Sequence, residues 1–161
     1  MLDETPQDRP RKATSVMPDV FDRQTRSRVM SRIRKTNTKP EIAVRRLLHR
    51  LGYRFRLHQR GLPGVPDIVL PKHRTVIFVQ GCFWHQHSCK LGKAPKSNRE
   101  YWLPKLKRNR ERDARNIREL RRLGWQVIIV WECEVIDCRR MNAKIFSRLP
   151  HGPKPGNAGH G

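Results

Sequence analysis

The protein has 161 residues, 36% of them hydrophobic, which is enough for one domain with its own core. Its 36 Lys and Arg outnumber its 14 Asp and Glu and give a formal net charge of +22 at pH 7. Because such a surface attracts phosphate polyanions, we expect a nucleic acid partner whose binding weakens with salt. The alternatives are a basic protein of ribosomal type and a protein that binds anionic membrane surfaces.

The sequence also indicates where in the cell the protein is expected to lie. The first residues are acidic and proline-rich rather than apolar, and no apolar segment reaches the length of a membrane span. We therefore expect a cytoplasmic protein that is associated with the nucleoid and not with a membrane. In a reducing compartment, cysteines are better explained as metal ligands or buried thiols than as disulfide partners. The four cysteines are Cys82, Cys89, Cys133 and Cys138.

The two ends of the chain differ from its middle. Residues 1–19 and 149–161 mix proline, charge and small residues without periodicity, and we expect both segments to be flexible. Between them, residues 20–148 form the expected folded domain. It begins with a basic helical arm at residues 22–34, whose apolar residues make a narrow stripe among arginines. The stripe contains Val29, Met30 and Ile33.

A second helix is predicted between Pro40 and Gly52. Proline suits the first turn, Glu41 lies where the positive end of the helix favours an acid, and glycine favours the end. The apolar face of this helix is expected to contain Ala43, Leu47, Leu48 and Leu51.

The next segments predict strands. Residues 53–57 alternate apolar and basic side chains, as in a half-buried strand, and a turn rich in Gly and Pro follows. Residues 67–70 and 75–79 then predict a hairpin-like pair of central strands.

A long helix and a last strand complete the predicted order. Residues 97–123 are mostly helical, with a restart or kink at Pro104, and residues 125–131 are apolar enough for a strand covered on both faces. The expected fold class is therefore α/β, with a mixed central sheet flanked by helices. The long helix is expected to direct these side chains toward the core: Trp102, Leu106, Ile117, Leu120 and Leu123.

The run from Cys82 to Cys89 places two thiols, two imidazoles and two large aromatics in one short loop. Structural zinc takes four Cys or His ligands, which this loop and the end of the last strand can supply together. The spacing is irregular, so His85 can replace His87, and ordinary reduced cysteines are an alternative. Cys138 is not expected to take part. The expected zinc ligands are Cys82, His87, Cys89 and Cys133.

Asp67 follows Pro66 at the start of a predicted strand. A carboxylate held there by a stiff turn is well placed to bind Mg²⁺, which prefers oxygen ligands and bridges to phosphate. The alternative is an aspartate that only caps a turn. In a chain with 14 acids, Glu41 and Asp113 also stand out.

Four segments together resemble the Vsr family of very-short-patch mismatch repair endonucleases. The most specific is Gly-Cys-Phe-Trp-His at residues 81–85, which is combined with Trp-Glu-Cys at residues 131–133. The resemblance extends from about Val20 to Asp137. The four segments are residues 63–67, 76–85, 111–113 and 123–133.

The resemblance implies a restriction-endonuclease-like fold and a nick on the 5′ side of the thymine in a T:G mismatch, the lesion left when 5-methylcytosine deaminates. By position, Asp67 matches the Mg²⁺ carboxylate, with the backbone carbonyl of Val79 as a second ligand. His85 matches the general base, Asp113 the acid that orients it, and Glu41 an acid that acts near the metal through water. The alternatives are an ordinary ion pair for Asp113 and a first-turn charge for Glu41.

The resemblance also implies a wedge that opens the DNA stack. Phe83 and Trp84 match the aromatics that enter beside the mismatch, and Met30 of the basic arm enters from the opposite groove. Unstacking costs least at a mispair, so a wedge contributes to selectivity. The alternative places both rings in the core.

The chain departs from the family at Val79 and Gln80, where Thr and His are usual. Val79 still supplies a backbone carbonyl as a metal ligand. Gln80, in contrast, replaces a titratable histidine near the scissile phosphate. The expected partner is double-stranded DNA with a T:G mismatch, bound by a monomer, with other mismatch repair proteins as further candidates. The rival functions are a non-catalytic zinc-containing DNA-binding protein and a general nuclease of the same fold.

Overall fold

The first described helix, α1, has a well-defined start. The structure is a computed structural model that describes residues 36–150 of the chain. Helix α1 spans Lys39–Arg50, and Thr38 caps it in a reciprocal pair with Glu41. The helix predicted from Pro40 is therefore confirmed. Its buried apolar side chains are Val44, Leu47 and Leu48, whereas Ala43, expected on this face, is only half-buried.

Four strands form one mixed sheet in the order β1-β2-β3-β4. Strand β2 pairs antiparallel with β1 and with β3, and β3 pairs parallel with β4. The expected α/β class with a mixed sheet is confirmed. The strands are β1 (Arg56–Leu57), β2 (Ile68–Leu70), β3 (Thr75–Gln80) and β4 (Gln126–Trp131).

The strand predicted at residues 53–57 is mostly wrong. Only its last two residues pair, and Leu57 is 42% exposed. The register places Arg56 opposite Val69, so a longer strand would continue past Leu70 to Pro71. Because Pro71 has no N–H group and begins a 3₁₀ turn, it ends the pairing there.

Helix α2 spans Arg99–Arg122 and follows β3 after a long loop. It continues through Pro104, so the predicted restart is wrong. Trp102, Leu106 and Leu120 are buried as expected. Ile117 is only half-buried, and Leu123, which lies just after the end of the helix, is 40% exposed.

Two further helices after β4 were not predicted: α3 (Glu132–Ile136) and α4 (Cys138–Arg148). Met141 and Ile145 of α4 are buried in the main core, together with α1 and the strands. Leu149 is buried in the same core, and the exposed Pro150 is held by a hydrogen bond from the Tyr53 hydroxyl to its carbonyl.

The sheet is covered on both faces. One face carries the main core with α1 and α4, and a smaller cluster that includes Leu120 of α2 covers part of the other. No helix within residues 36–150 has the length and apolar character needed to cross a membrane. The basic arm at residues 22–34, Met30 within it, the segment 1–19 and the tail beyond Pro150 lie outside the described residues.

Candidate active site

Asp67 lies immediately before β2, at the end of the sheet where β3 finishes. The backbone N–H of Val79 donates to Asp67 Oδ2 at 2.7 Å, which ties the carboxylate to β3. Burial, together with the nearby charge of Glu41, raises the pKa of Asp67 to about 6, although the Val79 hydrogen bond opposes the shift. A bound cation would offset both the burial of the charged carboxylate and its repulsion by Glu41. The carboxylate oxygens of Asp67 therefore fit Mg²⁺.

Glu41 is buried, with only 3% of its surface exposed, and it completes the capping box of α1 with Thr38. Its carboxylate accepts hydrogen bonds from the backbone N–H of Asn37 at 3.0 Å and from Arg45 Nη2 at 2.7 Å. Ligand atoms of Glu41, His58 and Asp67 all lie within 4.8 Å of one another. No motif in the sequence marks His58, because its neighbours in this cluster come from α1 and from the residue that precedes β2.

His85 follows β3 in the Cys82–Cys89 loop, and its Nδ1 contacts Oδ2 of Asp113 on α2. Both side chains are half-buried, and Arg112 Nη2 lies 3.9 Å from Asp113 Oδ1. The contact at Nδ1 leaves Nε2 as the ring nitrogen available for another proton. The structure thus brings together the two residues that were expected to act as base and orienting acid.

The three thiols and one imidazole expected to bind zinc form a single cluster. Because β3 and β4 are parallel, the loop after β3 and the residue after β4 leave the sheet at the same end. The structure brings His87 to the thiols, whereas His85 contacts Asp113. One atom from each of four residues lies within 4.8 Å of the others: Cys82, His87, Cys89 and Cys133.

The chemistry of this cluster fits zinc, because Zn²⁺ prefers thiolate and imidazole ligands in a tetrahedron. A hydrogen bond with His87 lowers the pKa of Cys89 to about 6, whereas burial raises the pKa of Cys82 to about 12. The His87 ring stacks on Trp131 with centroids 4.3 Å apart. Gly92 lies against the backbone of His87, so a Cβ added at Gly92 would lie 1.8 Å from the His87 carbonyl oxygen. Cys138 is exposed and outside the cluster.

Phe83 and Trp84 are half-buried rather than part of the hydrophobic core. They contact each other edge to face, with centroids 5.1 Å apart, and both pack against Trp102 of α2. Lys105 lies 5.6 Å from the centre of the Trp84 ring. Trp102, expected only as a core residue and 6% exposed, therefore supports the two rings.

The two positions that depart from the family lie at the end of β3. Val79 is half-buried and binds Asp67 through its backbone N–H. Gln80 is buried and lies opposite Trp131 in the parallel ladder.

Comparisons with known proteins identify relatives of this chain. A family model described as DNA mismatch endonuclease Vsr matches residues 18–91. The type II nicking enzyme V.XorIIP of Xanthomonas oryzae pv. oryzae is 50% identical over 133 residues, 83% of this chain and 98% of that protein. The type II nicking enzyme V.NmeAIP of Neisseria meningitidis serogroup A is 49% identical, over 74% of this chain and 85% of that protein. The DNA mismatch endonuclease Vsr of Escherichia coli is 48% identical, over 73% of this chain and 75% of that protein.

The fold, the site and these relatives define the class of the protein, which is a DNA endonuclease with a restriction-endonuclease-like α/β fold. It hydrolyses the phosphodiester backbone of mismatched DNA. Within that class, the chain belongs to the Vsr family of DNA mismatch endonucleases, and its activity serves mismatch repair.

Proposed function

We propose that the protein is a Mg²⁺-dependent endonuclease that nicks one strand on the 5′ side of the thymine in a T:G mismatch and so starts very short patch repair of deaminated 5-methylcytosine. The observation that carries the proposal is the link between Asp67 and the end of β3. The hydrogen bond from Val79 holds this carboxylate at the strand end from which the His85 loop departs.

In this proposal, Asp67 and the backbone carbonyl of Val79 hold Mg²⁺, and Glu41 acts beside it through water. The ion, when bound, supplies charge neutralisation for the phosphate and lowers the pKa of a bound water. Asp67 provides the negative charge that the site needs, because its pKa of about 6 leaves it mostly ionised above neutral pH.

His85 accepts the proton of the attacking water at Nε2. The Asp113 carboxylate at Nδ1 keeps the proton of the neutral ring on that nitrogen, and it stabilises the imidazolium that forms. As the water oxygen bonds to phosphorus, the backbone P–O bond on the far side of the phosphorus breaks, and the leaving oxygen takes a proton from solvent. Asp113 therefore positions the base rather than contacting the substrate.

The four-residue Cys and His cluster binds structural Zn²⁺ in this proposal. It joins the loop that carries His85, Phe83 and Trp84 to the residue after β4. A loop tied to the sheet holds the base and the rings in fixed positions, which catalysis and wedging both need. Phe83 and Trp84 enter the stack at the mismatch, supported by Trp102 beneath them.

The experiment is a nicking assay with end-labelled duplexes that contain T:G, A:T or G:C at one position, with and without Mg²⁺. We expect nicking of the T:G duplex alone, only with Mg²⁺, and its loss in Asp67→Ala with DNA binding retained. Equal cutting of matched duplex would make the protein a general nuclease. Nicking that persists in Asp67→Ala would contradict the proposed role of Asp67 as a metal ligand.

The wedge is tested with 2-aminopurine placed beside the T:G pair. We expect its fluorescence to rise when the protein binds, because unstacking removes quenching, and the rise to be lost in Trp84→Ala. Phe146→Ala is the control, since Phe146 is an exposed aromatic on α4. An unchanged rise in Trp84→Ala would contradict the wedge.

A further inference from the structure

His58 has no assigned role, yet its side chain lies in the carboxylate cluster. It follows β1 directly, and its backbone N–H donates to the carbonyl oxygen of Asp67 at 3.4 Å. Its side chain is 27% exposed, and Nε2 lies 3.8 Å from Oε2 of Glu41. The residue is thus anchored beside the carboxylate that is proposed to hold the metal.

The contact with Arg45 shows which way the imidazole lone pair points. Arg45 Nη2 lies 3.1 Å from His58 Nε2. A guanidinium has only donors, so the histidine nitrogen must be the acceptor in this contact. The neutral ring therefore carries its proton on Nδ1 and directs the Nε2 lone pair into the cluster, as a metal-ligating nitrogen must.

Arg45 already places a positive charge on the cluster. The same Nη2 that contacts His58 lies 2.7 Å from Oε2 of Glu41. One positive group thus contacts two of the three candidate ligand residues. A divalent cation that bound there would compete with the guanidinium for the same atoms.

We propose that His58 Nε2 is a ligand of the catalytic divalent cation, alongside Asp67, and that this nitrogen makes the site favour Mn²⁺ over Mg²⁺. The inference rests on the proposed function, because it concerns the same metal. Mg²⁺ takes oxygen ligands almost exclusively. Mn²⁺ also suits oxygen ligands, but as a transition metal it accepts an imidazole nitrogen more readily than Mg²⁺ does. An all-oxygen site would therefore show a smaller preference for Mn²⁺.

The direct test is pulsed electron paramagnetic resonance of Mn²⁺ bound to the zinc-loaded, full-length protein. We expect modulation from a directly bound ¹⁴N nucleus in the wild type, and its replacement by a ¹⁵N pattern when the protein is made with ¹⁵N-histidine. The modulation should disappear in His58→Gln. The wild-type labelling result does not depend on the stability of any variant.

Metal affinities give the second test. In His58→Gln we expect Mn²⁺ to bind about tenfold more weakly, a loss of the order seen when metal-site residues are changed, while Mg²⁺ measured by competition changes much less. His49→Gln is the matched control, since His49 is exposed in the last turn of α1 and outside the cluster.

The outcomes separate this inference from the proposed function. If Asp67→Asn abolishes Mn²⁺ binding but the wild type shows no nitrogen coupling, His58 is not a ligand, and the role of Asp67 stands. Nitrogen coupling that persists in His58→Gln, or an equal loss for both metals, overturns the inference as well. If Asp67→Asn leaves Mn²⁺ binding unchanged, the proposed metal site itself is wrong.

Discussion

At the scale of single residues, the site uses burial and neighbouring charge to prepare its ionisable groups. Asp67 is a carboxylate whose pKa is raised by its surroundings, whereas the His85 ring is held in one tautomer by Asp113. In the proposed mechanism, the first feature prepares a position for a cation, and the second prepares a nitrogen for a proton. Both can be tested by changes that preserve shape and remove charge.

The His85 and Asp113 pair should account for proton transfer. We expect His85→Ala to lower the nicking rate by roughly 10²–10⁴-fold, the range of general-base catalysis, and Asp113→Asn to lower it substantially because the tautomer is no longer fixed. DNA affinity should be retained in both. Single-turnover nicking and gel-shift titration measure the two quantities.

Glu111→Gln serves as the control for these variants. Glu111 lies on the same helix as Asp113 and is exposed, with its nearest partner Lys107 at 3.9 Å. Its loss should leave the rate unchanged. If Glu111→Gln and Asp113→Asn slow nicking to a similar extent, the loss of a negative charge on α2, rather than the loss of the contact with His85, explains the effect.

The raised pKa of Asp67 also predicts how stability depends on pH. The folded-state pKa of about 6 exceeds the ordinary value of 3.8, so the folded protein binds this proton more tightly than the unfolded chain. The free energy of unfolding of the Mg²⁺-free protein should therefore fall between pH 4 and pH 6 and stay lower above that range. In Asp67→Asn this fall is absent.

Denaturant unfolding at several pH values measures this difference. At pH 8 we expect Asp67→Asn to be more stable than the wild type by about 3 kcal/mol, and at pH 4 by much less, since a shift of one pKa unit corresponds to about 1.4 kcal/mol. Added Mg²⁺ should stabilise only the wild type. An Asn variant that is less stable at every pH contradicts the assigned effect of burial.

At the scale of elements, the parallel pairing of β3 and β4 organises the site. Parallel strands deliver their C-terminal ends to the same end of the sheet, so the loop after β3 meets Cys133 after β4. Helix α2 then supplies Asp113 and Trp102 from the other side of that loop. The loop is thus held at both its thiols and its aromatic rings.

Removal of one proposed zinc ligand should release this loop. We expect Cys133→Ser to lose bound zinc, to lower the melting temperature by about 5 °C or more, and to reduce nicking, because the metal contributes directly to folding free energy. Metal analysis of the purified protein and thermal unfolding give the readouts.

Cys138→Ser is the matched control, since the same substitution falls on an exposed thiol outside the cluster. It should retain zinc and stability. If Cys133→Ser keeps a full equivalent of zinc, the cluster is a set of reduced cysteines and the zinc proposal fails.

At the scale of the whole molecule, the charge of +22 determines how the protein meets DNA. Contacts to phosphate release counterions and do not read the bases, so they strengthen binding to any duplex. The contacts at the mismatch must then supply the preference for one site. Affinity and selectivity should therefore respond differently to salt.

Binding titrations at several salt concentrations test this separation. Between 50 and 200 mM salt we expect the affinity for both matched and T:G duplexes to fall by about 10³-fold or more, as for proteins with several phosphate contacts. The ratio between the two affinities should change little. If the two affinities become equal in high salt, the selectivity comes from charge interactions and not from the wedge.

Local signals in the sequence predicted the parts of the protein that local interactions determine. Helix α1 follows from its capping residues and Pro40, and the central strands β2 and β3 follow from short apolar runs between turn residues. The Cys82–Cys89 loop carries the family's most specific motif, so the family and its proposed chemistry could be inferred before any contact was known.

Only the tertiary structure decided which side chains meet. It brought Glu41 and Asp67 together with His58, and it separated His85 from His87 although only one residue lies between them. The physical reason is that these contacts depend on strand register and on the direction of chain pairing. Register and direction are both determined by contacts between segments that lie far apart in the sequence, and no local sequence pattern predicts such contacts.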